Sequence, residues 1–153
     1  MKIYLDSCAL NRPYDALEQV TVSLEAQAKL SIQEWIRDKK YELVSSEMLL
    51  AEIYDTPSEV RKQGILAFIE ENSSIHVGKT NNHTVKEMAT EFTRANVGYK
   101  DACHAASAII AGCEYLITTD YRFIRRFRKL NRDDLKITDP IEFVKEMEEE
   151  KID

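Results

Sequence analysis

The sequence predicts an α/β protein, a three-layer α/β/α sandwich around a mostly parallel sheet of four or five strands. Three observations predict it. Short runs of apolar and β-favouring residues alternate with longer segments whose apolar residues recur at helical spacing. The links are short turns, so the helices themselves are the crossovers that parallel strands require. Two of the runs, Lys2-Ile3-Tyr4-Leu5-Asp6-Ser7 and Tyr115-Leu116-Ile117-Thr118-Thr119-Asp120, lead from apolar residues into an acid. That is the pattern of a buried strand presenting a carboxylate at the sheet edge where α/β proteins bind ligands.

After the first strand, Asn11-Arg12-Pro13-Tyr14-Asp15 reads as a turn, because the residue before a proline is pushed out of the helical region. A long helix follows from about Ala16 to Lys39, with Leu17, Val20, Leu24, Ala28, Ile32, Trp35 and Ile36 as its buried stripe and Glu18, Glu25, Lys29 and Arg37 opposite. Tyr41 to Ser45 is the second strand, and Ser46 caps a helix from Glu47 to Tyr54. Thr56-Pro57-Ser58 interrupts before an amphipathic helix through Val60, Ile65, Leu66, Phe68 and Ile69, which ends near Asn72. Ile75-His76-Val77 is the third strand.

The polar run Thr80 to Thr84 leads into a helix from Val85 to Ala95, with Gly98 marking its end. An alanine-rich helix from about Lys100 to Ala111 passes through Gly112 into the strand that ends at Asp120. Tyr121 to Leu130 reads as a basic helix, Leu135 to Thr138 as the last strand, and Pro140 to Glu150 as a closing helix with proline in its first turn.

The 153 residues and 44% hydrophobic content suit one domain, 1–153, with a core over about 2–143 and an acidic helix end over 144–153. A formal net charge of −6 excludes binding of nucleic acid by bulk charge and directs attention to local basic surfaces. No apolar run is long enough to span a membrane and no signal-peptide core follows Met1, so a cytoplasmic location is expected. Cys8, Cys103 and Cys113 form no CxxC pair and are expected to be buried, reduced thiols.

Among 27 acidic residues, helix geometry selects a few. At roughly 100° per residue, Glu52 falls between Met48 and Leu49 on the apolar flank of its helix, where a carboxylate needs a partner, whereas Glu47 falls on the solvated side. Asp101 sits at the edge of the buried arc Ala102, Ala105, Ala106, Ile109 and Ile110, beside a lane of small residues that leaves its carboxylate unobstructed. His104 is expected on the exposed side of that helix, and His76 and His83 at the surface.

Each acid also has a simpler role open to it. Asp6 and Asp120 suit strand-end turns, Asp120 a helix cap, Asp101 a helix-dipole position and Glu52 an ion pair with lysine. Their joint placement at strand ends and adjoining helices points instead to a hard-oxygen site for a divalent cation.

The ordered set Ile3-Tyr4-Leu5-Asp6-Ser7, Val44-Ser45-Ser46 through Leu50-Ala51-Glu52, Asp101-Ala102-Cys103-His104-Ala105-Ala106 and Ile117-Thr118-Thr119-Asp120 resembles the PIN-domain family. The resemblance covers Lys2 to about Phe143, and Asn11 to Asp15 is similar to one branch of that family. It implies a Mg²⁺- or Mn²⁺-dependent ribonuclease in which Asp6, Glu52, Asp101 and Asp120 bind metal, with Ser7 and Thr119 as supporting hydroxyls. Products with 5′-phosphate and 3′-hydroxyl ends, and a role as the toxin of a toxin–antitoxin pair, are implied in the same way. Candidate partners are an RNA substrate, a cognate antitoxin and a second copy of the chain.

RNA contact is expected from Arg122, Arg125, Arg126, Arg128 and Lys129, extended by Arg132, which follow Asp120 directly while Phe123, Ile124, Phe127 and Leu130 face inward. The rival role for this run is a solvated helix face. Two other functions compete with the ribonuclease. A receiver-like phosphotransferase using Asp6 is disfavoured because no second acid neighbours it. A non-catalytic RNA-binding or protein-interaction module would retain the fold and the acids without cleaving.

Overall fold

The computed structural model describes residues 1–10 and 20–152. The expected turn at Asn11–Asp15, the helix start at Ala16 with Leu17 and Glu18, and the side chain of Val20 lie outside the described residues.

The apolar runs form strands β1 (Lys2–Leu5), β2 (Glu42–Ser46), β3 (Ser73–Val77), β4 (Tyr115–Ile117) and β5 (Lys136–Thr138). All neighbouring pairs are parallel, in the order β3-β2-β1-β4-β5. The helices are α1 (Ser7–Leu10), α2 (Val20–Arg37), α3 (Glu47–Tyr54), α4 (Glu59–Asn72), α5 (Asn82–Thr93), α6 (Tyr99–Ile110), α7 (Tyr121–Arg128) and α8 (Pro140–Ile152). The sheet is therefore five-stranded and wholly parallel, as an alternating β and α pattern with short links requires.

The chain steps from β1 to β2 to β3 in one direction, then crosses back to β4 and β5 in the other. Right-handed crossovers running in opposite directions lie on opposite faces, which puts α2 and α4 on one side and α5 to α7 on the other. β1 is the central strand, with Tyr4 opposite Val44 on one side and Leu116 on the other. Ile3, Tyr4 and Leu5 are fully buried, consistent with a strand covered on both faces. At its carboxyl end α3 packs against both α4 and α6.

Local chemistry explains the boundaries. Ser46 accepts a hydrogen bond from the Leu49 amide and caps α3 as expected. Asp139 accepts from the Glu142 amide and caps α8, with Pro140 as its first residue. α6 ends in a Schellman turn: Gly112 adopts φ 79°, its amide reaching Ile109 and that of Cys113 reaching Ala108.

Several expectations need correction. Gly98 does not end α5. It lies at the amino cap of α6 in extended conformation, and Asn96, at φ 68°, is the left-handed residue after α5. α5 begins at Asn82, inside the segment expected to be a polar loop. Leu24 and Val60, expected within buried stripes, are exposed, as is Cys8, while Cys103 and Cys113 are buried. Among the described residues no helix is long and apolar enough to cross a membrane.

Candidate active site

Because every strand points the same way, all the strand-end residues gather along one edge of the sheet. The order reverses between β1 and β4, so the crevice outside their carboxyl ends is the topological switch point. Asp6 follows β1 there, and Thr118 to Asp120 follow β4. α3 brings Glu52 to the same edge, and the first turn of α6 brings Asp101.

Asp6 is buried, and both its oxygens are held: Oδ2 accepts from the Thr118 hydroxyl at 2.5 Å and Oδ1 from the Ala9 amide at 3.1 Å. Burial raises its carboxyl above the ordinary range, against the lowering influence of His104, Thr118 and Ala9. Thr118 also accepts from the Asp120 amide at 3.1 Å, so one buried hydroxyl links the two strand-end acids. Thr119, the hydroxyl expected to support the site, lies beside the Cys8 thiol and favours its ionised form. A residue one position earlier escapes sequence reasoning because the apolar run makes Thr118 look like strand rather than site.

Glu52 is partly buried and has two donors. His104 Nε2 lies 2.7 Å from its Oε1, and Ser7 donates to Oε2 at 2.8 Å. Burial acts to raise this carboxyl, but the His104 and Ser7 bonds together with the charges of His104 and Lys100 prevail and hold it low. Ser7 thus supports Glu52 rather than its neighbour Asp6. Asp101 has no hydrogen bond to its carboxylate among the described residues, and its carboxyl is pushed up to about 6, first by burial and then by the charge of Asp120, with Asp6 and Glu52 adding to it. Asp120 caps α7, its Oδ1 accepting from the amides of Arg122 and Phe123 at 3.1 Å. The capping role open to Asp120 is therefore real, and it leaves Oδ2 without a hydrogen bond among the described residues.

His104 corrects the sequence expectation most sharply. Rather than facing solvent it is 1% exposed, bonded to Glu52 and, through Nδ1, to the Tyr4 hydroxyl at 2.5 Å. Periodicity presents α6 as one-faced. The helix is covered by the sheet and also by α3 and α5, so Ala102 through Ala108 are all buried. Glu47, expected in solvent, is only half exposed and pairs with His76 at 2.9 Å, whose other nitrogen meets Ser45 at 2.8 Å.

The basic run divides in two. Arg122, Arg125 and Lys129 are exposed and Arg126 is half-buried, and none of the four makes an ion pair within 4 Å among the described residues. Arg128 is engaged with Glu142 at 2.8 Å and with the Ile137 carbonyl. Arg132 is engaged with Asp134 at 2.7 Å and lies over the Phe92 ring. Phe123, Ile124 and Phe127 anchor α7 inward as expected, and Leu130 is only partly covered.

The donor set fits a hard divalent cation in chemistry: four carboxylates, of which Asp6 is raised by burial with a contribution from Glu52, and Asp101 by burial and then by the charges of Asp120, Asp6 and Glu52. Its side chains are not closed around a point. Among the described residues no three His, Cys, Asp or Glu groups already converge at ligand spacing. Asp6 and Glu52 are held by protein donors, Thr118 and Ala9 for the first and His104 and Ser7 for the second.

A family model for the PIN domain matches residues 3–130. Among solved structures the chain is similar to VapBC2 from Rickettsia felis bound to a DNA fragment from its promoter, at 16% identity and a TM-score of 0.54, covering 91% of this chain and 98% of the other. It is similar also to FitAB bound to the IR36 DNA fragment, at 16% identity and a TM-score of 0.55, covering 91% of this chain and 95% of the other. No curated protein matches the chain significantly.

Proposed function

The chain belongs to the PIN-domain family, and from that premise we propose that it is a Mg²⁺- or Mn²⁺-dependent ribonuclease acting as the toxin of a toxin–antitoxin pair. The observation that carries the nuclease reading is the gathering of Asp6, Glu52, Asp101 and Asp120 at the switch point, where the Asp101 carboxyl is pushed up to about 6 by burial and by Asp120. Those four side chains would hold the cation. When bound, it supplies Lewis-acid neutralisation of the phosphodiester and a lowered pKa for water.

The chain's own groups do the rest. Thr118 and Ala9 hold Asp6, and Ser7 and His104 hold Glu52, so that two carboxylates are fixed from behind. The Asp101 carboxylate and Oδ2 of Asp120 carry no hydrogen bond among the described residues. Cys8 lies beside the site; although the residue as a whole is exposed, partial desolvation of its sulfur first, then the charges of Asp6 and Glu52, push its thiol up to about 11, which disfavours the thiolate a nucleophile needs. Arg122, Arg125, Arg126 and Lys129 follow the Asp120 cap on α7 and give an otherwise acidic molecule a place for RNA phosphates. The toxin role is supported by the family resemblance and by the likeness to VapBC2 and FitAB, and it makes a cognate antitoxin the expected protein partner.

The test is RNA cleavage by purified protein with Mg²⁺, Mn²⁺ or EDTA, beside Asp6→Asn and Asp101→Asn. Cleavage is expected with metal and is expected to vanish in EDTA and in both variants. RNA that shifts in a gel without being shortened would establish the non-catalytic binding module instead.

A further inference from the structure

We propose that His104 is a positioning residue, which fixes the Glu52 carboxylate and is itself fixed by a buried hydrogen-bond chain through Tyr4 and Ser46. The inference rests on the metal-dependent reading of the acid site. His104 Nε2 meets Glu52 Oε1 at 2.7 Å, and Nδ1 meets the Tyr4 hydroxyl at 2.5 Å. The Tyr4 hydroxyl lies 2.7 Å from Ser46 Oγ, which accepts from the Leu49 amide at 3.1 Å. Tyr4, Ser46 and His104 are all 1% exposed or less, so none of these groups has water as a substitute partner.

An ionised Glu52 carboxylate can only accept, so Nε2 carries the hydrogen of that bond. On the other side the Tyr4 hydroxyl lies between Nδ1 and Ser46 Oγ, and in either sense of the chain it has one neighbour to donate to and one to accept from. Both ends of the chain lie on α3, one at its amino cap and one at Glu52, with β1 and α6 between them. A side chain chosen only to fill space at 104 would be apolar, like its helix neighbours Ala102, Ala105, Ala106 and Ala108. It would strand the Tyr4 hydroxyl and leave Glu52 with Ser7 alone.

The experiment is calorimetric titration of Mn²⁺ into metal-free wild type, His104→Leu, His104→Gln and Tyr4→Phe, with circular dichroism to verify folding and RNA kinetics at saturating Mn²⁺. His104→Leu is expected to weaken Mn²⁺ binding about 10-fold or more, the range seen when groups behind metal ligands are removed. His104→Gln, whose amide can donate to Glu52 and accept from Tyr4, is expected to recover most of that loss. Tyr4→Phe is expected to weaken binding several-fold. At saturating Mn²⁺ the RNA KM is expected to stay at the wild-type value, because His104 does not touch substrate. If wild type binds Mn²⁺ and His104→Leu binds it equally well, the inference is overturned while the nuclease reading stands. If His104→Leu does not fold, an unchanged Mn²⁺ affinity in Tyr4→Phe overturns it. Wild type that binds no Mn²⁺ overturns the metal reading, and this inference with it.

Discussion

Asp101 is the residue at which the cost of assembling the acids is most directly measurable. Its folded pKa of about 6 stands above the unfolded carboxyl value of 3.8. The sign of the linkage follows: the folded state binds the proton more tightly, so the associated stability is present below the unfolded pKa and is lost as pH rises through about 6. The group is half-buried and solvent screening discounts the effect, leaving about 1 kcal/mol at neutral pH. Asp101→Asn is therefore expected to melt a few degrees above wild type in EDTA at pH 7, and the gap is expected to close toward pH 4. Thermal melts of the two proteins across that range check it. A variant that melts lower at pH 7 would make Asp101 a structural residue. The placement of this acid was legible because it falls at the edge of the buried arc of α6, beside a lane of small residues. Thr118 and His104 were not legible, because their roles depend on which strand or helix lies across from them.

Among the elements, α7 presents a basic surface and α2 ends in a strained turn. The amphipathic pattern of α7 was plain in the sequence, yet it did not reveal that Arg128 is committed to Glu142 or Arg132 to Asp134. Pairings across elements are set by tertiary geometry. With Arg125 and Arg126 both replaced by Gln, RNA binding is expected to weaken and the slope of log affinity against log salt to flatten by roughly 0.7 for each phosphate no longer neutralised. Binding by a catalytically inactive Asp6→Asn background, measured across a salt series, checks this, and an unchanged slope would leave α7 an ordinary solvated helix. α2 closes on Lys39 at φ 64°, with the Lys40 amide reaching the Trp35 carbonyl and the Lys39 amide that of Ile36. A side chain in the left-handed region is disfavoured by roughly 1–2 kcal/mol, part of which glycine recovers at the cost of a looser unfolded chain. Lys39→Gly is expected to raise stability by about 0.5 kcal/mol, read from urea unfolding midpoints, and a lower midpoint would refute the turn-strain account.

At the scale of the molecule, the alternation of strands and helices in the sequence was enough to reach a parallel sheet, and two strands ending in acids were enough to indicate the edge at which those acids gather. The strand order was not legible, since β3 to β4 could have returned to either side of β1. That order decides everything about the site, because it makes β1 the strand beside the switch point and brings Asp6 within reach of Thr118. A net charge of −6 beside one basic helix likewise makes sense only once the fold sets α7 next to the acids it follows. The central proposal is that Asp6, Glu52, Asp101 and Asp120 together form a divalent-cation site. The most direct measurement is Mn²⁺ affinity, by calorimetry on metal-free protein, for wild type and for Asp6→Asn, Glu52→Gln, Asp101→Asn and Asp120→Asn. The account predicts saturable binding to wild type, weakened by about 10-fold or more in Asp6→Asn, Glu52→Gln and Asp101→Asn. A smaller loss is predicted in Asp120→Asn, whose carboxylate is shared with the α7 cap. Wild-type affinity in the first three variants would contradict it.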